Sequence, residues 1–175
     1  MRYLLATALC LSACRAHDPH HPAWDAEVGA FLGSDRIERM DTATEVRALR
    51  IDGSFLTERG DRAIAAGFPI DAEGPLLTDA QRDRFLSLAR SSDHYMFDLA
   101  KACEFLPGVA LRFDGPAGRL EVLLCFSCDE WAFAIPTPGG ELESWEIEDC
   151  DAARPELLRL ARELFPTDEA LSELR

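Results

Sequence analysis

The residues that could do chemistry in this 175-residue chain are its cysteines and one acidic run. Cys125-Phe126-Ser127-Cys128 is a CxxC, with Cys103 before it and Cys150 after it. Such a set admits three chemistries. Thiol–disulfide exchange needs a thiolate of lowered pKa, at a helix N-terminus or beside a cation. Zinc needs four converging ligands, usually as two close pairs. A structural bridge needs only an oxidising compartment and two cysteines within reach. Here the CxxC ends an apolar run, Asp129 and Glu130 follow it, and no cation adjoins it in sequence. Bridges are therefore favoured over redox catalysis, and a single CxxC argues only weakly for zinc. No metal and no cofactor is expected.

The second candidate is the acidic run Glu141, Glu143, Glu146, Glu148, Asp149 and Asp151. On a strand Glu141 and Glu143 share a face. With Asp129 and Glu130 they are expected to form a negative patch that can receive a basic protein partner, against the plainer reading of a solvated outer face. His94, near Asp93 and Asp98, reads as a surface histidine before it reads as a general base. Gly-x-Ser-x-Gly, P-loop and His-Glu-x-x-His patterns are all missing from the sequence. A formal net charge of −14 repels phosphate backbones, so no nucleic-acid partner is expected.

The N-terminus carries an address. Arg2 precedes an apolar run over residues 4–11, too short to span a bilayer, which ends in Leu11-Ser12-Ala13-Cys14. The segment resembles a bacterial lipobox. That resemblance implies cleavage before Cys14, lipid on its sulfur and acylation of the new amino terminus. Two or three acyl chains anchor a protein durably where one does not. Arg15 stands where an aspartate would retain such a protein at the inner membrane. The resemblance therefore implies the outer membrane, facing the periplasm. Removing residues 1–13 takes away Arg2 and no acid, which moves the net charge to −15.

Export leaves Cys103, Cys125, Cys128 and Cys150 as an even set, which points to disulfides. If the hairpin that carries the CxxC turns near residue 117, Val109 lies across from Cys125, and Cys103 lies nearest to Cys128. Cys103–Cys128 is thus the first pairing expected, with Cys125 and Cys150 either paired or buried as thiols. Residues 15–22, with His17, His20, His21 and two prolines, read as an extended tether.

These candidates must be positioned by the globular part, expected as one domain over 24–175 behind a signal (1–13) and a lipidated tether (14–23). Trp24, Val28, Phe31 and Leu32 form a helical stripe that Gly33 stops. Residues 44–52 read as a strand. The stretch 55–75, rich in glycine and proline, reads as irregular, with at most a short helix near Ile64. Thr78-Asp79-Ala80-Gln81 is a capping box that opens a helix to about Arg90. Apolar or alternating runs at 109–113, 120–127, 131–135 and 141–147, separated by Gly/Pro turns, predict an antiparallel meander. Pro155 suits the first turn of a last helix, with its stripe from Leu157 to Phe165. The fold class expected is α+β: a meander of four to five strands with packed helices.

The stretch 101–133 also resembles a group of uncharacterised exported bacterial proteins, which implies a shared fold and no activity. The function expected is a lipid-anchored envelope protein with a non-enzymatic binding or structural role. Two alternatives stand beside it: a thiol–disulfide redox protein using Cys125 and Cys128, and an acidic inhibitor-like module for a cationic protein.

Overall fold

The computed structural model describes residues 23–54, 60–98 and 101–175, so the lipobox, Cys14 and the tether histidines lie outside the described residues. The chain runs α1 (Ala26–Thr42), β1 (Glu45–Ile51), β2 (Ile64–Ala65), β3 (Phe68–Leu76), α2 (Asp79–Arg90), a 3-10 turn at Ser92–His94, β4 (Val109–Gly115), β5 (Gly118–Cys125), β6 (Glu130–Pro136), β7 (Leu142–Asp149), α3 (Arg154–Leu164) and α4 (Glu169–Glu173). One antiparallel sheet has the order β2-β3-β1-β4-β5-β6-β7. The α+β antiparallel class is as expected. The strand count is not: there are seven strands rather than four or five.

Both extra strands come from the stretch read as irregular. β3 carries Pro69, Gly74 and Pro75, residues that weaken a strand reading because proline donates nothing to a ladder. Their cost is contained. β2 covers only the start of β3, and the β1–β3 register slips twice, near Gly74-Pro75 and near Ile51. The first helix is also longer than expected. Gly33 does leave helical geometry, at φ 75° and ψ 162°, but a second helical segment follows it directly. The buried stripe Val28, Leu32, Arg36 and Met40 runs through both segments, and past Gly33 it is masked in the sequence by its arginine. That guanidinium is satisfied by the carbonyls of Phe133 and Leu32, at 3.0 and 3.2 Å, and by Ser144 Oγ at 3.1 Å.

Alternation gives the sheet two apolar faces. Val109, Leu111, Phe113, Leu120, Val122, Leu124, Trp131 and Phe133 point toward the helices, and α1, α2 and α3 cover them. Leu49, Ile51, Ala110, Leu123, Cys125, Ala132 and Ala134 point to the other side. Leu123 and Leu124, adjacent in β5, are thus buried on opposite faces, as the apolar character of that strand requires. Among the described residues no helix covers the second face. Instead the sheet curls upon itself as a half-barrel, so its two ends approach. Phe105 packs between Phe68 of β3 and Trp145 of β7, and Gly67 N–H donates to the Gly140 carbonyl at 2.9 Å.

Inside the curl lies one buried ion pair. Arg112 of β4 and Glu121 of β5 are cross-strand partners on the inner face, 2.6 Å apart, and Glu121 is 0% exposed. Arg112 also donates to the Ile64 carbonyl at 3.0 Å, so the pair pins the β2–β3 hairpin over the interior. Among the described residues no helix is long and apolar enough to cross a membrane.

Candidate functional site

Antiparallel pairing brings the ends of β6 and β7 together at the CxxC turn. Residues 126–129 form that turn, Asp129 takes a left-handed φ of 57°, and the chain enters β6 at Glu130. Glu130 stands directly opposite Asp149, the last residue of β7. Side chains so placed share a face with their Cβ atoms roughly 5 Å apart, a poor arrangement for two like charges. Both are nevertheless buried, at 9% and 2% exposure, and among the described residues Glu130 Oε2 and Asp149 Oδ2 have no hydrogen-bond partner.

The only lysine of the chain answers part of this charge. Lys101 Nζ donates to Asp151 Oδ2 at 2.5 Å and to the Cys128 carbonyl at 2.9 Å, and lies 3.1 Å from Asp149 Oδ1. Burial opposes its charge, yet the bonds to Asp151 and Asp149 outweigh that and hold the ammonium above its ordinary range. Burial pushes the Glu130 carboxyl up, and Asp149 and Glu148 add to the effect while Lys101 opposes it. Glu148, which accepts from the Asp149 amide at 2.9 Å, is raised mainly by burial too. Around these groups opens a cavity of about 440 Å³, lined by Phe97, Asp98, Lys101, Glu130, Ile147, Glu148 and Asp149.

The cysteines sort by face. Cys103 and Cys128 form the expected disulfide, with Cα atoms 5.9 Å apart, which fastens the 101–108 segment to the CxxC turn. Cys125 and Cys150 do not pair. Cys125 points into the curl and Cys150 toward the helices, so the sheet itself lies between them and both are buried thiols. The same separation rules out zinc held by all four cysteines. Cys125, Cys128 and Glu130 do converge, their ligand atoms within 4.8 Å of one another, but a bridged Cys128 offers no thiolate to a metal.

Cys125 Sγ receives the Leu106 amide at 3.3 Å and lies 3.2 Å from Ser127 Oγ. Burial drives the Cys150 thiol far above the usual cysteine range, with Asp129 and Asp151 adding to it. Native protein treated with an alkylating reagent near neutral pH should therefore label neither thiol, and denatured protein both. Mass spectrometry counts the labels, and a native adduct at either position would show that the interior opens.

The sequence patch is divided by the fold. Asp129 is engaged by Arg154 of α3, and Glu130 enters the cavity wall. Glu141 and Glu143 lie at the opposite, hairpin end of β6 and β7, roughly 20 Å away along the strands. The sequence also indicated no cation beside the CxxC. Folding supplies two: Lys101, 27 residues before Cys128, and Arg154, 28 residues after Phe126. His94 is tied through Nδ1 to the Leu88 carbonyl at 3.0 Å and caps the end of α2. The residues missed were Phe97, Lys101 and Ile147, and Asp98 was considered only beside His94. A lone lysine in an arginine-based chain was the one available signal.

No protein-family model, no curated protein and no solved structure matches this chain.

Proposed function

We propose that the protein is a lipid-anchored envelope protein whose domain binds a partner without transforming it. The observation that carries the binding role is the acidic cavity at the end of β6 and β7, where four carboxylates line the wall with one ammonium. Two oxygens of that wall, Glu130 Oε2 and Asp149 Oδ2, are buried without a donor among the described residues, which costs stability, and a ligand of opposite charge is what offsets that cost. Export is supported separately, by Leu11-Ser12-Ala13-Cys14. The anchor on this reading is Cys14, and the membrane expected is the outer one.

Changing Cys14 to serine should abolish incorporation of labelled palmitate and leave the precursor uncut. Equal labelling of that variant would refute the anchor.

One observation favours a second reading, in which Cys125 and Cys128 act in thiol–disulfide exchange: the Cys125 sulfur lies within 4.8 Å of a bridged one. Burial of that thiol weighs against it, because exchange needs access as well as a thiolate.

A further inference from the structure

We infer that the cavity walled by Glu130, Asp149 and Phe97 is a binding site for a small organic cation, a primary ammonium group on an apolar stem. The inference rests on the reading of the domain as a binding module and names the ligand class of its site. Four carboxylates and one ammonium line the cavity, so its charge is left uncompensated by the chain. More telling is the state of two of those carboxylates. Glu130 and Asp149 are 9% and 2% exposed, yet among the described residues nothing donates a hydrogen bond to Glu130 Oε2 or Asp149 Oδ2. Buried polar atoms are ordinarily paired, and acceptors left open on a cavity wall are the complement of a donor that enters it.

The donor must be cationic, compact and carried on something greasy. A calcium ion wants six to eight oxygens within about 2.6 Å. Among the described residues no three carboxylates gather their oxygens that closely, since the one tight group of donors is Cys125, Cys128 and Glu130. A guanidinium prefers both oxygens of one carboxylate in a planar fork. Here the open acceptors belong to two residues facing each other across a strand pair, which suits the divergent donors of an –NH3⁺ group. Lys101 shows the fit from within the chain, its Nζ shared among Asp149, Asp151 and a carbonyl beside the same wall. Phe97 and Ile147 supply the apolar lining that a bare metal ion would not use, and the Phe97 ring adds attraction for a cation. A volume of about 440 Å³ lies in the range of small-molecule sites and far exceeds that of one ion.

The test is calorimetric titration of the oxidised full domain with 1,5-diaminopentane, calcium chloride and guanidinium chloride in parallel. The diamine should bind at one site, and Glu130→Gln should weaken it about tenfold, the loss of one charge-assisted hydrogen bond. Asp98→Asn, on the exposed lip, provides a second variant that leaves the buried wall intact and should weaken binding less. The midpoint of Asp98→Asn should match the parent's and that of Glu130→Gln should equal or exceed it, because the change removes a buried like charge, so that lost binding is read as lost contact. Binding of calcium or guanidinium in preference to the diamine overturns the inference, and so does an absence of heat with all three. Diamine binding unchanged in Glu130→Gln overturns the site. Failure of the anchored-binder reading shows elsewhere, in palmitate labelling of the Cys14→Ser protein.

Discussion

Replacing Arg112 with alanine should destabilise the domain by about 3 to 5 kcal/mol, because it strands the fully buried Glu121 carboxylate inside the curl. The Ile64 carbonyl also loses its donor, and the β2–β3 hairpin its pin. An apolar double replacement, Arg112→Met with Glu121→Leu, should cost much less, since it removes both charges. The pH dependence has a definite sign. Burial already raises the Glu121 carboxyl above its ordinary value, and Arg112 is the chief group opposing that rise. A carboxyl raised on folding binds its proton more tightly in the native state, so its stability contribution is present at low pH and lost as pH climbs through the raised value. Removing Arg112 raises it further. The Arg112→Ala deficit should therefore be smaller near about pH 5 than near about pH 8. Urea unfolding at the two pH values measures this. An equal, small loss at both would show that the pair carries little of the fold.

Breaking the disulfide is the second large effect. Cys103 and Cys128 are 25 residues apart, and closing a loop of that length restrains the unfolded chain by about 3.5 kcal/mol. Replacing both by alanine should lower stability by roughly that amount. The single change Cys103→Ala is a different experiment. It frees Cys128 beside Cys125, whose sulfur is within 4.8 Å, and a Cys125–Cys128 bridge closes too short a loop to restore the loss. Unfolding curves with and without reductant measure the effect. Superposable curves for the parent protein would mean that the bridge contributes nothing.

What could be read before folding, and what could not, divides on physical grounds. The helix at Asp79–Arg90 was legible because its start is chemically local: Thr78 accepts from the Gln81 amide while Gln81 reaches back to the Thr78 amide. The β4–β7 meander was legible from alternation and turn residues. Its first register was displaced by one residue, because the turn is Pro116-Ala117 and places Val109 opposite Leu124 rather than Cys125. A one-residue slip exchanges faces, and Cys125 accordingly points into the curl. The Cys103–Cys128 pairing survived that slip because Cys103 precedes its strand. β3 was lost to Pro69, Gly74 and Pro75, and the second half of α1 to an arginine on the core stripe. In both, tertiary contacts outweigh local signals.

The candidate site was legible only in part. Glu130 was named, and Asp149 stood in an acidic run already marked, but nothing local to either announces that strand pairing sets them face to face. Lys101 and Phe97 arrive from a segment that returns past the end of β7, a property of topology alone. The grouping of Glu141 and Glu143 with Asp129 and Glu130 failed for the converse reason: nearness in sequence was taken for nearness in space across a hairpin whose two ends lie far apart.

The order of the strands has one further consequence. Among the described residues the sheet does not close hydrogen bond to hydrogen bond, and its end strands are β2 and β7. Free strand edges are templates on which a second copy can polymerise. Here one edge is only Ile64–Ala65 long, and the other carries Glu143, Glu146, Glu148 and Asp149. Edge-to-edge growth would set these carboxylates against those of the next molecule. For a protein proposed to sit crowded in the plane of a membrane, that mutual repulsion is a safeguard against fibrils. It works by charge, and so it weakens in acid and in concentrated salt.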